Sequence, residues 1–447
     1  MKVHEFVDEG LGHSSYLVDL GDGTAATVDP PRFPGAHEAL AHRVGLRVVW
    51  TLDTHSHADY VTGSPSLAAR RGATFIAPEA SHLATPHRPV HDLEQIRLGD
   101  GVDLMALATP GHTPDHHAYV FKHDGEPVAL FTGGSLMVGA VGRTDLCGPD
   151  LAVPLAHEMF RSLRRFDDLP DDMAVYPTHG AGSFCSAAAA SQRTSTLGRE
   201  RAGNPLFSIR DEDKFVERLV EGFGSFPTYF ARLPELNRLG PARYDTIPRL
   251  ARLSPEDLEH HVSGGGVVID VRPVAAFSAG HVPGSSSDTL RPVFASWLGW
   301  LVNPDRPLAF VLDADQDRVD LVRQCLDVGH EHLVGELAGG IDAWIGTGRA
   351  VTTIPLVDAA HMTARVVDVR QANEYAAGHV PGAISVELWQ VPTADLPPGP
   401  LTVMCGHGER AMTGASLLTD RRADVVVLDG GPDTWSSATG SPLATGR

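Results

Sequence analysis

Two groups of residues in this chain have the types and the spacing that chemistry needs. One is Cys405-Gly-His-Gly-Glu-Arg410, which follows the apolar run Leu401-Thr-Val-Met404 and leads into a helix-like stretch from Ala411 to Leu418. A cysteine at a strand–loop–helix junction meets the backbone N–H groups of a glycine-containing loop and the positive end of the next helix. Both favour the thiolate and lower the cysteine pKa below its free value of ~8.5. Arg410 adds a fixed positive charge suited to an anionic donor. A free cysteine is commonly buried packing material. Here two glycines, Gly406 and Gly408, and an arginine at this spacing have little structural purpose.

The other group is Thr54-His-Ser-His-Ala-Asp-Tyr60, with Thr109-Pro-Gly-His112 and Tyr176-Pro-Thr-His179 further along. Each histidine stands just past a likely strand end, as with the apolar run Arg47-Val-Val-Trp-Thr-Leu52 before Thr54. Two histidines one residue apart, joined by single histidines from distant loops, are how a fold gathers imidazoles about a metal. A lone histidine is more often a core or surface residue; four in these contexts make His55, His57, His112 and His179, with Asp59, the candidate ligands.

The elements that must position these residues are partly announced by a repeat. Val268-Ile-Asp-Val-Arg272 with Ala279-Gly-His-Val-Pro-Gly284 recurs as Val367-Asp-Val-Arg370 with Ala377-Gly-His-Val-Pro-Gly382. Each copy closes on a similar phrase, Gly339-Gly-Ile-Asp-Ala-Trp344 and Gly430-Gly-Pro-Asp-Thr-Trp435. Two homologous domains of about a hundred residues follow, each reading as a small doubly wound α/β domain. At ~150 residues per domain, 447 residues suggest about three domains. The divisions expected are an N-terminal block over 1–205, a connecting helical segment over 206–253, and repeats over 254–350 and 356–447.

Composition narrows the function classes. The chain has 36 Lys plus Arg against 56 Asp plus Glu, and its formal charge of −20 repels nucleic acid and anionic lipid alike. An anionic substrate must therefore be drawn by a local cationic pocket. No secretory signal or membrane span is legible, which makes the cytoplasm the default compartment. Four cysteines, Cys147, Cys185, Cys325 and Cys405, lie far apart and argue against a disulfide framework or a zinc ribbon.

Both repeats resemble rhodanese domains, and the Cys405–Arg410 loop resembles their sulfurtransferase loop. The resemblance implies that Cys405 carries sulfane sulfur as a persulfide, while the loop amides with Gly406, Gly408 and Arg410 cradle the anion. In the first repeat the strand is Leu308-Ala-Phe-Val-Leu312 and the loop is Asp313-Ala-Asp-Gln-Asp317, with no cysteine. Acidic side chains oppose a thiolate there, so this copy reads as structural or docking, and Cys325 as core.

The N-terminal block resembles the metallo-β-lactamase fold, an αβ/βα sandwich, and its persulfide-dioxygenase branch. The resemblance is carried by Thr54-His-Ser-His-Ala-Asp59, Thr109-Pro-Gly-His-Thr113, Phe131-Thr-Gly133 and Gly142-Arg-Thr-Asp145. It implies iron ligands at His55, His112 and an aspartate after Phe131-Thr-Gly133, and a substrate-carboxylate role for Arg143. This sequence has Gly134 where that aspartate is expected, and Tyr60 where the broader fold carries a second-site histidine. The two-His-one-carboxylate face is incomplete. A site of His55, His57 and His112 holding Fe(II) or Zn(II), and a site with no metal, both remain open. An aspartate introduced at Gly134 is expected to be tolerated unless the backbone φ is positive.

The expected function is sulfur handling by an α/β multidomain protein. Sulfane sulfur passes through Cys405, and persulfide oxidation at the N-terminal domain is impaired. A non-oxidising carrier whose first domain only binds a thiol ligand, and a metallo-hydrolase of glyoxalase II type, are the alternatives. The expected small-molecule partners are a persulfide or thiosulfate and a glutathione-like thiol, with neither nucleic acid nor membrane; a homo-oligomer is left open.

Overall fold

In the computed structural model, which describes residues 1–185, 191–419 and 424–446, twenty-four strands form four main sheets and one small ribbon. The first sheet orders β1 (Lys2–Asp8), β2 (His13–Asp19), β3 (Thr24–Val28), β4 (Arg47–Leu52), β5 (Thr74–Pro78) and β6 (Arg88–Val90) consecutively. β1 to β3 pair antiparallel and β3 to β6 parallel. The second sheet contains β7 (Gln95–Gly99), β8 (Val102–Ala108), β9 (His117–His123) and β10 (Glu126–Gly133). It also contains, beyond the ribbon of β11 (Leu136–Met137) and β12 (Ala140–Val141), β13 (Ala174–Pro177) and β14 (Ser195–Thr196).

Alternation within these strands sends one set of side chains inward and one outward. From β8, β9 and β10 the residues Leu104, Tyr119, Phe121 and Phe131 pack against Tyr16, Val18, Val28 and Ile76 of the first sheet. Their partners on the opposite face, Val120 and Leu130, pack against Met159 and Leu163 of the helix Pro149–Arg164 and Phe215 of the helix Glu212–Glu221. The αβ/βα sandwich is thus a two-faced second sheet, each fully buried aromatic contributing ~1.5–3 kcal/mol. The helical stretch after residue 205 belongs to this packing, with Asp211 capping its helix through the Lys214 N–H.

Two further sheets have five parallel strands each and the same order. The first joins β15 (Arg252–Leu253), β16 (Val267–Asp270), β17 (Ser286–Ser287), β18 (Leu308–Val311) and β19 (Leu333–Leu337) in the order β15-β19-β18-β16-β17. The second joins β20 (Leu356–Val357), β21 (Val366–Asp368), β22 (Ile384–Ser385), β23 (Leu401–Met404) and β24 (Val425–Leu428) in the order β20-β24-β23-β21-β22. The continuous burial of Leu308–Val311 and Leu401–Met404 is what a parallel strand covered on both faces requires.

The repeated Asp-Val-Arg motif is a structural device. Arg272 pairs with Asp270, and Arg370 with Asp368, each with a 2.6 Å contact, and each guanidinium also donates to the carbonyl of Gly280 or Gly378. His281 and His379 stack on Phe277 and Tyr375 at 3.8 and 3.7 Å, which fixes the Gly-His-Val-Pro-Gly turns.

The chain divides into two units, Met1–Thr246 with Cys325–Gly329 and Ile247–Gln324 with His330–Arg447. Among the described residues no helix is long and apolar enough to cross a membrane.

Candidate functional site

The histidine site is built on Asp29, a residue that spacing does not single out. Asp29 follows β3 with a left-handed φ of 50°, a conformation that costs of order 1 kcal/mol or more in a non-glycine residue. Its carboxylate offsets the cost by accepting from the Thr54 N–H at 2.7 Å, the Thr54 hydroxyl at 2.9 Å, the Thr178 hydroxyl and His57 Nε2–H at 3.1 Å. Burial opposes ionisation of Asp29, but His57 and these hydrogen bonds outweigh it and hold the carboxyl below its ordinary range.

That network sets the tautomers. Because the Thr54 hydroxyl donates to Asp29, its oxygen accepts from His55 Nδ1–H at 2.8 Å, leaving Nε2 of His55 as an acceptor whose partner is His179 Nε2 at 3.4 Å. His57 spends Nε2–H on Asp29 and leaves Nδ1 without a partner. His112 donates Nδ1–H to the Arg143 carbonyl at 2.8 Å, and its Nε2 is buried without a partner. Burial, followed by the His179 charge, takes the His112 pKa down to about 3, so the ring is a neutral donor of a lone pair. His179 Nδ1 lies 3.2 Å from Asp59 Oδ2. Burial works against both charges of that pair; Cys185 and Asp59 nonetheless raise the His179 pKa, and His179 holds Asp59 well below the usual carboxylate range.

All five residues singled out as ligands are therefore brought together. Ring centroids of His55 lie 4.3 Å from His57, 5.0 Å from His112 and 5.5 Å from His179. The donors fit a metal ion: His55, His57 and His179 place ligand atoms within 4.8 Å of one another, and so do His112, His179 and Cys185. Bare buried nitrogens such as His112 Nε2 cost ~1–3 kcal/mol each unless something occupies them. Imidazoles oriented by an outer carboxylate or carbonyl are the arrangement metal ligands use.

Three expectations need correction. Gly134 has no positive φ, yet a side chain there is not tolerated: a Cβ would lie 2.1 Å from His112 Cδ2. The imidazole of His112 occupies the space that an aspartate would need. Arg143 is not available to a substrate carboxylate, because its buried guanidinium is paired with Asp145 at 2.6 and 2.8 Å and donates to the carbonyls of Phe184 and Gly224. Its backbone has the functional contact, since the carbonyl orients His112 and the N–H binds the Cys185 carbonyl at 3.0 Å. Arg410, expected to cradle an anion with the loop amides, has its guanidinium bound bidentately by Glu374 at 2.6 and 2.8 Å and lies over the Trp297 ring at 5.7 Å.

Tyr60 stacks on His57 at 4.4 Å and donates its hydroxyl to the Asp29 carbonyl at 3.1 Å. It fills the second-site position without supplying a metal donor. His116 is a further member that spacing missed. Its Nε2 accepts the Gly134 N–H at 2.9 Å and its Nδ1–H donates to the Thr109 hydroxyl at 2.8 Å, so both nitrogens are spent on structure. A cavity of about 580 Å³ lined by Ser56, Asp145, Cys147, Phe226 and Phe230 opens beside the His55–His57 loop.

At the thiol loop, Cys405 ends β23 and is 1% exposed. The Gly408 N–H donates to its Sγ at 3.1 Å, and Gly408, with φ of 105°, caps the helix Glu409–Leu418. Gly431 of the closing phrase packs so tightly that a Cβ would meet the Gly406 carbonyl oxygen at 2.3 Å. The sulfur thus sits in a backbone cradle at the positive end of a helix. In the first repeat Asp317 caps its own helix through the N–H groups of Val319 and Asp320, and Gln316 ties the loop to the Val271 carbonyl.

The rhodanese-like domain family matches residues 254–347 and 356–438. A hydroxyacylglutathione hydrolase of Polaromonas sp. is 30% identical over 257 residues, covering 50% of this chain and 93% of that protein. The mitochondrial persulfide dioxygenase of Homo sapiens is 29% identical over 204 residues, covering 44% of this chain and 73% of that protein. The crystal structure of a metallo-β-lactamase from Staphylococcus aureus superposes with a TM-score of 0.68 at 26% identity, over 75% of this chain and 99% of that one. The chain spans 59% and 60% of the length of two further hydroxyacylglutathione hydrolases.

Proposed function

Since the chain belongs to the metallo-β-lactamase-fold family of hydroxyacylglutathione hydrolases and persulfide dioxygenases and carries two rhodanese-like domains, we propose that it transfers sulfane sulfur through Cys405. The observation that carries this reading is the 3.1 Å hydrogen bond from Gly408 N–H to Cys405 Sγ at a helix N-terminus. The Cys405 thiolate attacks the outer sulfur of thiosulfate or a low-molecular-weight persulfide. A bond forms from Sγ to that sulfur, the donor S–S bond breaks, and its electron pair leaves on sulfite or the donor thiolate. An acceptor thiolate then takes the sulfane sulfur and returns Cys405 to the thiolate. The loop N–H groups hold the terminal sulfur anion in both steps.

In the first domain His55, His57, His112 and His179 would hold the metal, with Asp59 orienting His179. Fe(II) bound there would supply redox chemistry with dioxygen, and Zn(II) a Lewis acid. The chain's own residues keep His55 and His112 neutral, since burial lowers the pKa of both rings, and Nδ1–H of each is spent on a hydrogen bond, which leaves Nε2 as the lone pair. They supply no carboxylate from position 134, so we assign this domain a thiol- or persulfide-binding role with little oxygen consumption. The hydrolase relatives favour a second reading, cleavage of a glutathione thioester at the same histidines; Tyr60 and Gly134 count against the two-metal arrangement that such hydrolases commonly use.

The test is sulfur transfer from thiosulfate to cyanide. Cys405→Ser should lose at least a hundredfold in rate, while Cys147→Ser and Cys325→Ser stay within about twofold. A Cys405→Ser protein that keeps its rate refutes the assignment.

A further inference from the structure

We propose that Cys185 is a metal ligand, forming with His112 and His179 a thiolate-containing site that takes over the anionic position Gly134 cannot fill. The inference rests on the reading above that the histidine cluster holds a metal. It goes beyond that reading by naming a ligand outside the family's motif and the class of ion it selects.

Four observations carry it. The ligand atoms of His112, His179 and Cys185 lie within 4.8 Å of one another, and all three residues are buried at 1% exposure or less. His112 Nε2 has no hydrogen-bond partner although it is fully enclosed, so the triad contains a lone pair with nothing to receive it. Arg143 clips the two flanking groups together, its carbonyl accepting from His112 Nδ1–H and its N–H donating to the Cys185 carbonyl. Finally, the His112 ring lies against Gly134 on one side and Gly142 on another, where a Cβ would come within 2.1 and 2.7 Å of ring atoms respectively. The two glycines therefore leave the space that the His112 ring occupies, and a side chain at 134 that could bring a carboxylate would collide with that ring.

The chemistry follows from the donor set. A cysteine binds a metal as the thiolate, so loading the site releases one proton from Cys185. Two imidazoles and a thiolate make a softer site than two imidazoles and a carboxylate, and select Zn(II) over Fe(II). His179 is common to this triad and to the one with His55 and His57, which makes it the residue both depend on.

Cobalt(II) is the probe, used with the full chain under anaerobic conditions. The unmodified protein should show a thiolate-to-cobalt charge-transfer band in the near ultraviolet at one equivalent. Cys405→Ser should keep the band and Cys185→Ser should lose it, with the Zn(II) dissociation constant rising at least about 100-fold, the upper end of what loss of an outer-shell partner costs. As a check free of folding effects, Zn(II) should protect Cys185 of the unmodified chain from alkylation, read by peptide mass mapping. A band that survives Cys185→Ser, or a Cys185 alkylated equally fast with and without Zn(II), overturns the proposal while leaving a histidine-only metal site standing. Failure of the unmodified protein to bind cobalt or zinc at all overturns both.

Discussion

His112 shows how one glycine sets the chemistry of its neighbour. The resemblance to iron-binding relatives suggests putting an aspartate at Gly134, and the absence of a positive φ encourages it. The packing forbids it, because the His112 ring already stands where the new Cβ would go. Gly134→Asp should therefore destabilise the first domain by about 1–3 kcal/mol and lower its metal content rather than raise its iron. Urea denaturation with metal analysis of the purified variant checks both; a gain in bound iron and oxygen uptake would show that His112 swings aside. The four histidines of the cluster could be picked out from the sequence because each follows a strand end. Asp29 could not, and Cys185, six residues after His179, could be placed near the cluster by spacing but not given a role. Asp29 touches Thr54 and Thr178, residues far from it in the chain, and no local spacing reports such contacts. Arg143 and Arg410 were legible as charges but not as neutralised ones, since Asp145 and Glu374 are found only by folding.

At the scale of elements, the thiol loop works because three pieces of backbone converge. β23 delivers Cys405, the helix Glu409–Leu418 turns its N-terminus toward the sulfur, and Gly431 closes over the Gly406 carbonyl. The first repeat has the corresponding strand and helix, but its loop is committed to caps made by Asp317 and to the Gln316 contact with Val271. Asp313→Cys in a Cys405→Ser background should thus stay at least about a hundredfold below the native second loop in thiosulfate sulfurtransferase rate, because Asp315 and Asp317 remain to oppose a thiolate. A rate near that of the native loop contradicts this. The repeat was readable from the Asp-Val-Arg and Gly-His-Val-Pro-Gly phrases because those residues pair and stack within each copy. The attachment of residues beyond 205 to the first domain was harder to see. Phe215 and Leu219 reveal only that a helix has an apolar face, not which core receives it.

For the whole molecule, a net charge of −20 works against an anionic sulfur donor at long range, and Glu374 cancels the arginine of the thiol loop. Attraction must come at short range, from the backbone N–H groups around Cys405 and the helix behind them. The account therefore places sulfur on one atom among four cysteines: Cys185 lies in the histidine cluster, Cys325 is buried in a helix, and Cys147 is exposed. The most direct test is to incubate the unmodified full chain with thiosulfate and locate the added sulfur by peptide mass mapping under conditions that preserve persulfides. One sulfur atom, removable by cyanide, should be found on the peptide containing Cys405. Sulfur on any of the other three cysteines with Cys405 unlabelled, or no stable label at all, contradicts the account.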